Sequence, residues 1–329
     1  ASGPGVRQVV YIESFINKYG FDTFNMKPRN DIHEYVIRYE KAKEYLAKSD
    51  ISNENKKLIL EFDRACTIEG LSLPRKIKIL STLLNVAKHY LNKDFNQAEK
   101  NDLKDAILKI DSRTDYSPWT VQSYKAVIKK FYKWLAFGDE YKDRLEYPEI
   151  VNWLKVNTKN KDKPRVQASD IMTETEIDKL VSVAEHPRDK AFISMLYELG
   201  ARIGEIGTLS IKDVSRDDYS YIVDLSGKTG HRTPRIVESD PLLTSWLNIH
   251  PFKDNPNAPL WVMLGERNKN ERMHYRTFRA LILRLAKRAK LKKRIYAHLF
   301  RHTRVTHLLL NKKINETQAK VYFGWTPSS

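Results

Sequence analysis

The sequence predicts a mainly α-helical protein with a small antiparallel β-sheet, arranged as two units. Three observations carry that expectation. Apolar residues recur at helical spacing in blocks on both sides of "KVNTKNKDKPRVQASD" (155–170), a polar, basic stretch with no apolar period of its own. The period switches from helical to alternating in one place only, at 219–238. At 329 residues, with 41% hydrophobic and 11% aromatic content, the chain is globular in composition and long enough for two ordinary cores.

In order along the chain, residues 1–27 form an N-terminal extension without a readable pattern, and residues 28–158 read as a helical unit. "LSLPRKIKILSTLLNVAKHYL" (71–91) is one amphipathic helix of that unit. In "SPWTVQSYKAVIKKFYKWL" (117–135), Tyr124, Val127, Ile128, Phe131, Trp134 and Leu135 form an apolar stripe, with Ser117 placed to cap the start and Pro118 at the first helical position. Lys125, Lys129 and Lys133 recur one turn apart on the opposite face, as either a solvated or a nucleic-acid-contacting surface. Residues 159–170 are expected to be a linker, with Lys161, Lys163 and Arg165 around Pro164.

The second unit, 171–329, opens on Thr173 and Glu176 in capping-box spacing. "RDKAFISMLYELG" is a helix that Gly200 can end. "YSYIVDL" (219–225) and "RTPRIVE" (232–238), separated by "SGKTGH", read as a hairpin. Across 276–291, Phe278, Leu281, Ile282, Leu285 and Ala289 line one helix face, and Arg276, Arg279, Lys287 and Lys290 lie opposite.

Charge narrows the function. Lys and Arg number 58 against 41 Asp and Glu, a net +17. The excess is segregated, since no acidic residue occurs from Arg272 to Asn315. Such a field repels itself unless a polyanion neutralises it, so double-stranded DNA is the expected partner. No apolar run reaches membrane-span length, so no membrane partner is expected. The one cysteine, Cys66, excludes an internal disulfide and a cysteine-rich zinc module, and suits a reducing, cytoplasmic location.

"AHLFRHTRVTHLLL" (297–310) concentrates three histidines and two arginines. On a helix His298 and His302 share a face beside Arg301, and His307 points away. A metal would need a third ligand, and no carboxylate is close in sequence, so no metal is expected. Histidines hydrogen-bonded in a core, with Arg301 in an ion pair, form a second reading. Phosphate chemistry is a third: guanidinium forks grip two phosphate oxygens and imidazole supplies a donor or a base. Phosphodiester cleavage requires several converging cations, because one donor supplies only about 3–4 kcal/mol. Arg202 and Glu205 in "LGARIGEIGTL", Lys228 at the hairpin tip, and Trp325 in "FGWTPSS" are further candidates.

R-x-x-E, a lysine in a β-turn, H-x-x-R-H and a G-W near the C-terminus, in that order, resemble the catalytic domain of the tyrosine recombinase, or phage integrase, family over about 173–329. The lysine-faced helical unit is similar to that family's core-binding domain. "GARIGEI", "GKTGHR" and "HLFRHTRVTHLL" look most like integrases of archaeal viruses and plasmids, which are mobile elements. The resemblance implies DNA integration and recombination through a 3′-phosphotyrosine, without cofactor or metal. It implies that Arg202 and Arg301 clamp the phosphate, His298 bonds it and Lys228 acts as general acid. Trp325 would donate its indole N–H, and Glu205 would orient Arg202. It also implies a homo-oligomer on DNA, a tetramer, associated with the nucleoid. In the family the nucleophilic tyrosine follows the G-H/W motif, so none of the 17 tyrosines present is expected to be the nucleophile, and this chain alone is expected to be inactive. Type IB topoisomerase-like relaxation and non-cleaving DNA binding are the alternative functions.

Overall fold

The computed structural model describes residues 31–156, 167–227 and 230–325. Lys161, Lys163, Arg165 and Lys228 lie outside the described residues, as does the extension before residue 31. Contacts divide the chain into two units, and residues 31–34 cluster with the second of them rather than with the helices they precede. The first helix of the helical unit begins at Tyr35, directly after this segment. The segment is held there by Ile32, whose side chain is buried in the second core.

The first unit comprises helices α1 (Tyr35–Lys48), α2 (Asn53–Ile68), α3 (Leu73–His89), α4 (Lys100–Asp111), α5 (Pro118–Phe137) and the short α6 (Glu149–Asn152). Ser117 caps α5 by accepting the Thr120 amide at 3.2 Å, with Pro118 next to it where no amide hydrogen is needed. The α5 stripe is buried as its period requires, and Phe131 packs edge-on to Phe62 at 5.3 Å. Each such fully buried side chain contributes about 1.5–3 kcal/mol. The lysine face differs from expectation. Lys125 is paired with Asp111 at 2.8 Å, Lys129 donates to the Leu154 carbonyl at 2.8 Å, and Lys133 donates to the Arg144 carbonyl at 2.5 Å. Lys129 and Lys133 also lie over the Tyr147 ring. The end of α4 and the loops that follow α5 and α6 draw these amines in, so they are not an open basic stripe.

The second unit contains α7 (Glu174–Ser182), α8 (Pro187–Glu198), α9 (Ile203–Gly207), α10 (Asp240–Asn248), α11 (Tyr275–Arg288), α12 (Ala297–Leu310) and α13 (Glu316–Phe323). The Thr173–Glu176 capping box forms at α7, with bonds of 3.2 and 2.8 Å. Five strands run between α9 and α10: β1 (Val214–Arg216), β2 (Tyr221–Val223), β3 (Leu225–Gly227), β4 (Gly230–Arg232) and β5 (Arg235–Ile236). The expected hairpin is split in two. β2 pairs with β5 and also with β1, a strand the alternation did not reveal, and β3 pairs with β4 as a separate ribbon. The core joins Phe192, stacked on Phe278, to Trp261, Leu299 and Phe300.

Candidate active site

The site is built around the five-residue helix α9. Arg202 stands at its N-cap in extended backbone, and Glu205 reaches back to accept the Arg202 amide at 3.0 Å and its Nη1 at 2.7 Å. This is capping-box geometry with a guanidinium as the second donor. Glu205 is only 5% exposed. Its other neighbour is Arg232 of β4, whose Nη2 donates to Oε2 at 2.9 Å. Burial raises the Glu205 carboxyl's pKa, but the Arg202 amide and the two guanidinium groups outweigh it and hold the group below the usual carboxylate range. The ribbon closes on this carboxylate without room to spare: a Cβ on Gly227 would sit 2.6 Å from Glu205 Oε1.

Arg301 enters from α12. It is 3% exposed, and Nη1 and Nη2 donate to the carbonyls of Gly200 and Phe323 at 3.0 and 2.6 Å. Among the described residues no carboxylate lies within ion-pair distance of it, so the ion pair of the alternative core-packing reading is absent. Burial, with Arg202 and Arg232 adding repulsion and Glu205 opposing it, pushes its pKa down to about 10. It stays protonated at neutral pH. Gly200 has a left-handed φ of 51°, which lets α8 end and turn its carbonyl to Arg301. Arg232 holds the adjoining Tyr322 carbonyl at 2.9 Å, so two arginines take up carbonyls at the C-terminal end of α13. Gly324, at φ 61°, then turns the chain into Trp325, which packs on Phe323 at 5.8 Å.

His298 is exposed on the first turn of α12. Its ring meets that of His302 edge-on at 4.6 Å. Partial desolvation, then His302, Arg301 and Arg202, lower its pKa, leaving a neutral imidazole at neutral pH. His302 is lowered likewise by burial and Arg301. His307 is turned away, with Nδ1 2.7 Å from the Tyr197 hydroxyl. Among the described residues no group of three His, Cys, Asp or Glu is arranged to hold a metal.

The structure thus brings Arg202, Glu205, His298 and Arg301 together, with the G-W turn beside them. Sequence reasoning missed Arg232. No local pattern marked it: the register of the ribbon sets Arg232 opposite the buried Leu225, so both side chains share the inward face. Arg272 was also missed; its Nη1 donates to the Thr208 and Leu209 carbonyls at 2.7 and 3.0 Å and secures the end of α9. Tyr322 and Tyr296 do not join the cluster. Tyr322 donates to the Glu198 carbonyl at 3.3 Å, and burial raises its pKa; Tyr296 lies under Arg294.

The basic face of α11 is open. Arg276, Arg279, Lys287 and Lys290 are exposed and have no ion pair among the described residues. Arg284 and Arg288, on the flank of the same helix, are paired with Asp189 and Glu185. Arg276, Arg279 and Lys287 lie on α11 itself, and Lys290, at φ 53°, follows its C-terminal end.

Residues 170–329 match the family model described as the phage integrase family. Over 271 residues the chain is 26% identical to the tyrosine recombinase XerA of Pyrococcus horikoshii, covering 82% of this chain and 83% of that one. A solved lambda integrase tetramer bound to a Holliday junction superposes with a TM-score of 0.61 at 12% identity, over 99% of this chain and 89% of that one. XerH site-specific recombinase bound to its difH substrate gives 0.57 at 13% identity, over 91% of both chains. These two structural likenesses concern the fold.

Proposed function

We propose, for a chain that belongs over residues 170–329 to the phage integrase family, the activity of a site-specific DNA recombinase. It cuts and rejoins strands through a 3′-phosphotyrosine. One observation carries the chemistry. Three guanidinium groups, from Arg202, Arg232 and Arg301, surround the single carboxylate of Glu205, an excess of two positive charges without substrate. A phosphodiester brings one negative charge and its five-coordinate transition state brings two, so the site is complementary to the transition state rather than to the ground state.

In this reading Arg202 and Arg301 hold the two non-bridging oxygens. Arg232 and Glu205 fix Arg202 and keep its fork from collapsing onto other acceptors. A tyrosyl oxygen forms the new P–O bond as the bond to the 5′-oxygen breaks, and the bond energy is kept for rejoining. His298, neutral at working pH, accepts the tyrosyl proton or bonds the phosphate. Lys228 is the proton donor to the leaving 5′-oxygen. Trp325 donates its indole N–H to the phosphate. The open cations Arg276, Arg279, Lys287 and Lys290 seat the duplex, with Lys161, Lys163 and Arg165 of the linker as further contacts. Lys125, Lys129 and Lys133 contribute to DNA contact only by exchanging their present partners for phosphates. A tetramer on DNA and a cytoplasmic, nucleoid-associated location complete the reading; no described helix is long and apolar enough to cross a membrane.

A nicked suicide substrate tests it. The full-length protein is expected to form a covalent protein–DNA adduct in EDTA. Relaxation of supercoils with no site-specific joining would favour the topoisomerase alternative. Binding with no adduct at any site would leave only the non-cleaving one.

A further inference from the structure

We infer that Ile32 is a positioning residue for strand cleavage: a segment that precedes the entire helical unit in sequence is built into the catalytic unit and sets the helix on which Arg202 sits. The inference rests on the strand-transfer reading above.

Ile32 is 1% exposed and belongs to the core of the second unit. Its socket is the absent side chain of Gly207, the last residue of α9. A Cβ built there would come 2.7 Å from Ile32 Cδ1 and 2.9 Å from Phe278 Cε2. Ile32 is therefore wedged between α9, which carries the Arg202–Glu205 box, and α11, which carries the open cations. Its backbone is engaged as well. The Ile32 carbonyl accepts the Tyr275 amide at 2.8 Å, satisfying a first-turn donor of α11. The N-cap residue of that helix, His274, makes no side-chain capping bond. Beside it the His33 ring packs on Tyr275 at 4.8 Å, and its Nε2 would lie 3.8 Å from a Cβ on Gly204. Two consecutive residues thus touch both helices.

A helix of five residues has too few internal bonds to hold its own position, so its place is set by what surrounds it. α9 is held at its start by the capping box, at its end by Arg272 and on its flank by Ile32. Loosening the flank lets α9 shift against α11. Arg202, at the N-cap, shifts with it relative to Arg301, which is anchored separately to Gly200 and Phe323. Cleavage needs both guanidinium groups on one phosphate, and a misplacement of about 1 Å can cost roughly 100-fold. Duplex affinity, drawn mainly from backbone phosphate contacts, does not depend on that alignment.

The test is a split between cleavage and binding in the full-length protein. With suicide DNA held at saturation, Ile32→Ala is expected to slow adduct formation by about 10- to 100-fold. Duplex affinity should stay at the parent value, and Ile32→Val, which loses only the Cδ1 methyl that reaches Gly207 and keeps the β-branched body in the core, should cleave at a rate between those of the parent and Ile32→Ala. Gly207→Ala loads the same contact from the other side and should show the same split. Its combination with Ile32→Val, which removes the clashing Cδ1, should recover part of the loss. Cleavage at the parent rate in Ile32→Ala overturns the inference. So does a parallel loss of binding and cleavage in both single variants, which would mark a purely structural contact. A parent protein that forms no adduct at all defeats the functional reading instead.

Discussion

Arg301→Met separates what the site does for DNA from what it does for the fold. The guanidinium is 3% exposed, has no carboxylate partner among the described residues and is repelled by Arg202 and Arg232. Burial and those neighbours lower its pKa well below the ordinary guanidinium value, to about 10, which corresponds to roughly 3 kcal/mol of disfavoured charge in the folded protein. Methionine removes that penalty and fills similar volume. It also removes two charge-assisted bonds, to the carbonyls of Gly200 and Phe323, at about 1.5–3 kcal/mol each. The two effects nearly cancel, leaving a net loss of about 0–3 kcal/mol. Cleavage loses a cation aimed at the transition state, about 3–4 kcal/mol or roughly 100- to 1,000-fold. Urea unfolding, followed through the tryptophans, measures the first quantity; adduct formation on saturating suicide DNA measures the second. A variant that unfolds outright, or one that cleaves within a few-fold of the parent, refutes the view that Arg301 is a cation held against its own stability for the sake of phosphate.

Gly200→Ala should destabilise the fold by about 1–3 kcal/mol, because a Cβ at φ 51° would lie 2.4 Å from Phe323 Cε1 and displace the residue whose carbonyl holds Arg301; an unaltered melting temperature would contradict it. The acid limb of the cleavage rate should fall below pH 6.5, since burial, His302 and the nearby arginines lower the His298 pKa. The neutral form is favoured in the folded site and is lost as pH drops through that lowered value, so His298→Asn should flatten the limb; a limb that persists assigns the titration elsewhere. Neutralising Arg276, Arg279, Lys287 and Lys290 together should reduce the salt slope of duplex binding by up to about 4, near 0.9 for each phosphate that is no longer neutralised. An unchanged slope in filter-binding titrations would remove α11 from the DNA surface.

Local chemistry made much of this protein readable from its letters. Ser117 before Pro118, Thr173 with Glu176, and Gly200 after an apolar helix each state a helix boundary through hydrogen bonds formed within a few residues. The stripes of α5 and α11 give their buried faces for the same reason, and the order of Arg202, Glu205, His298 and Arg301 along the chain carries the family resemblance from which the phosphate site is proposed. Tertiary structure decided where long-range partners were at stake. Lys125, Lys129 and Lys133 were drawn to Asp111, Leu154 and Arg144, partners that no helical period specifies. Arg232 became a member of the site only once ribbon register turned it inward beside Leu225. Ile32, far from any motif, found its place through the missing side chain of Gly207 on a helix 175 residues away in sequence. Period and capping are properties of neighbours along the chain, whereas a socket exists only after distant segments have packed to form its walls.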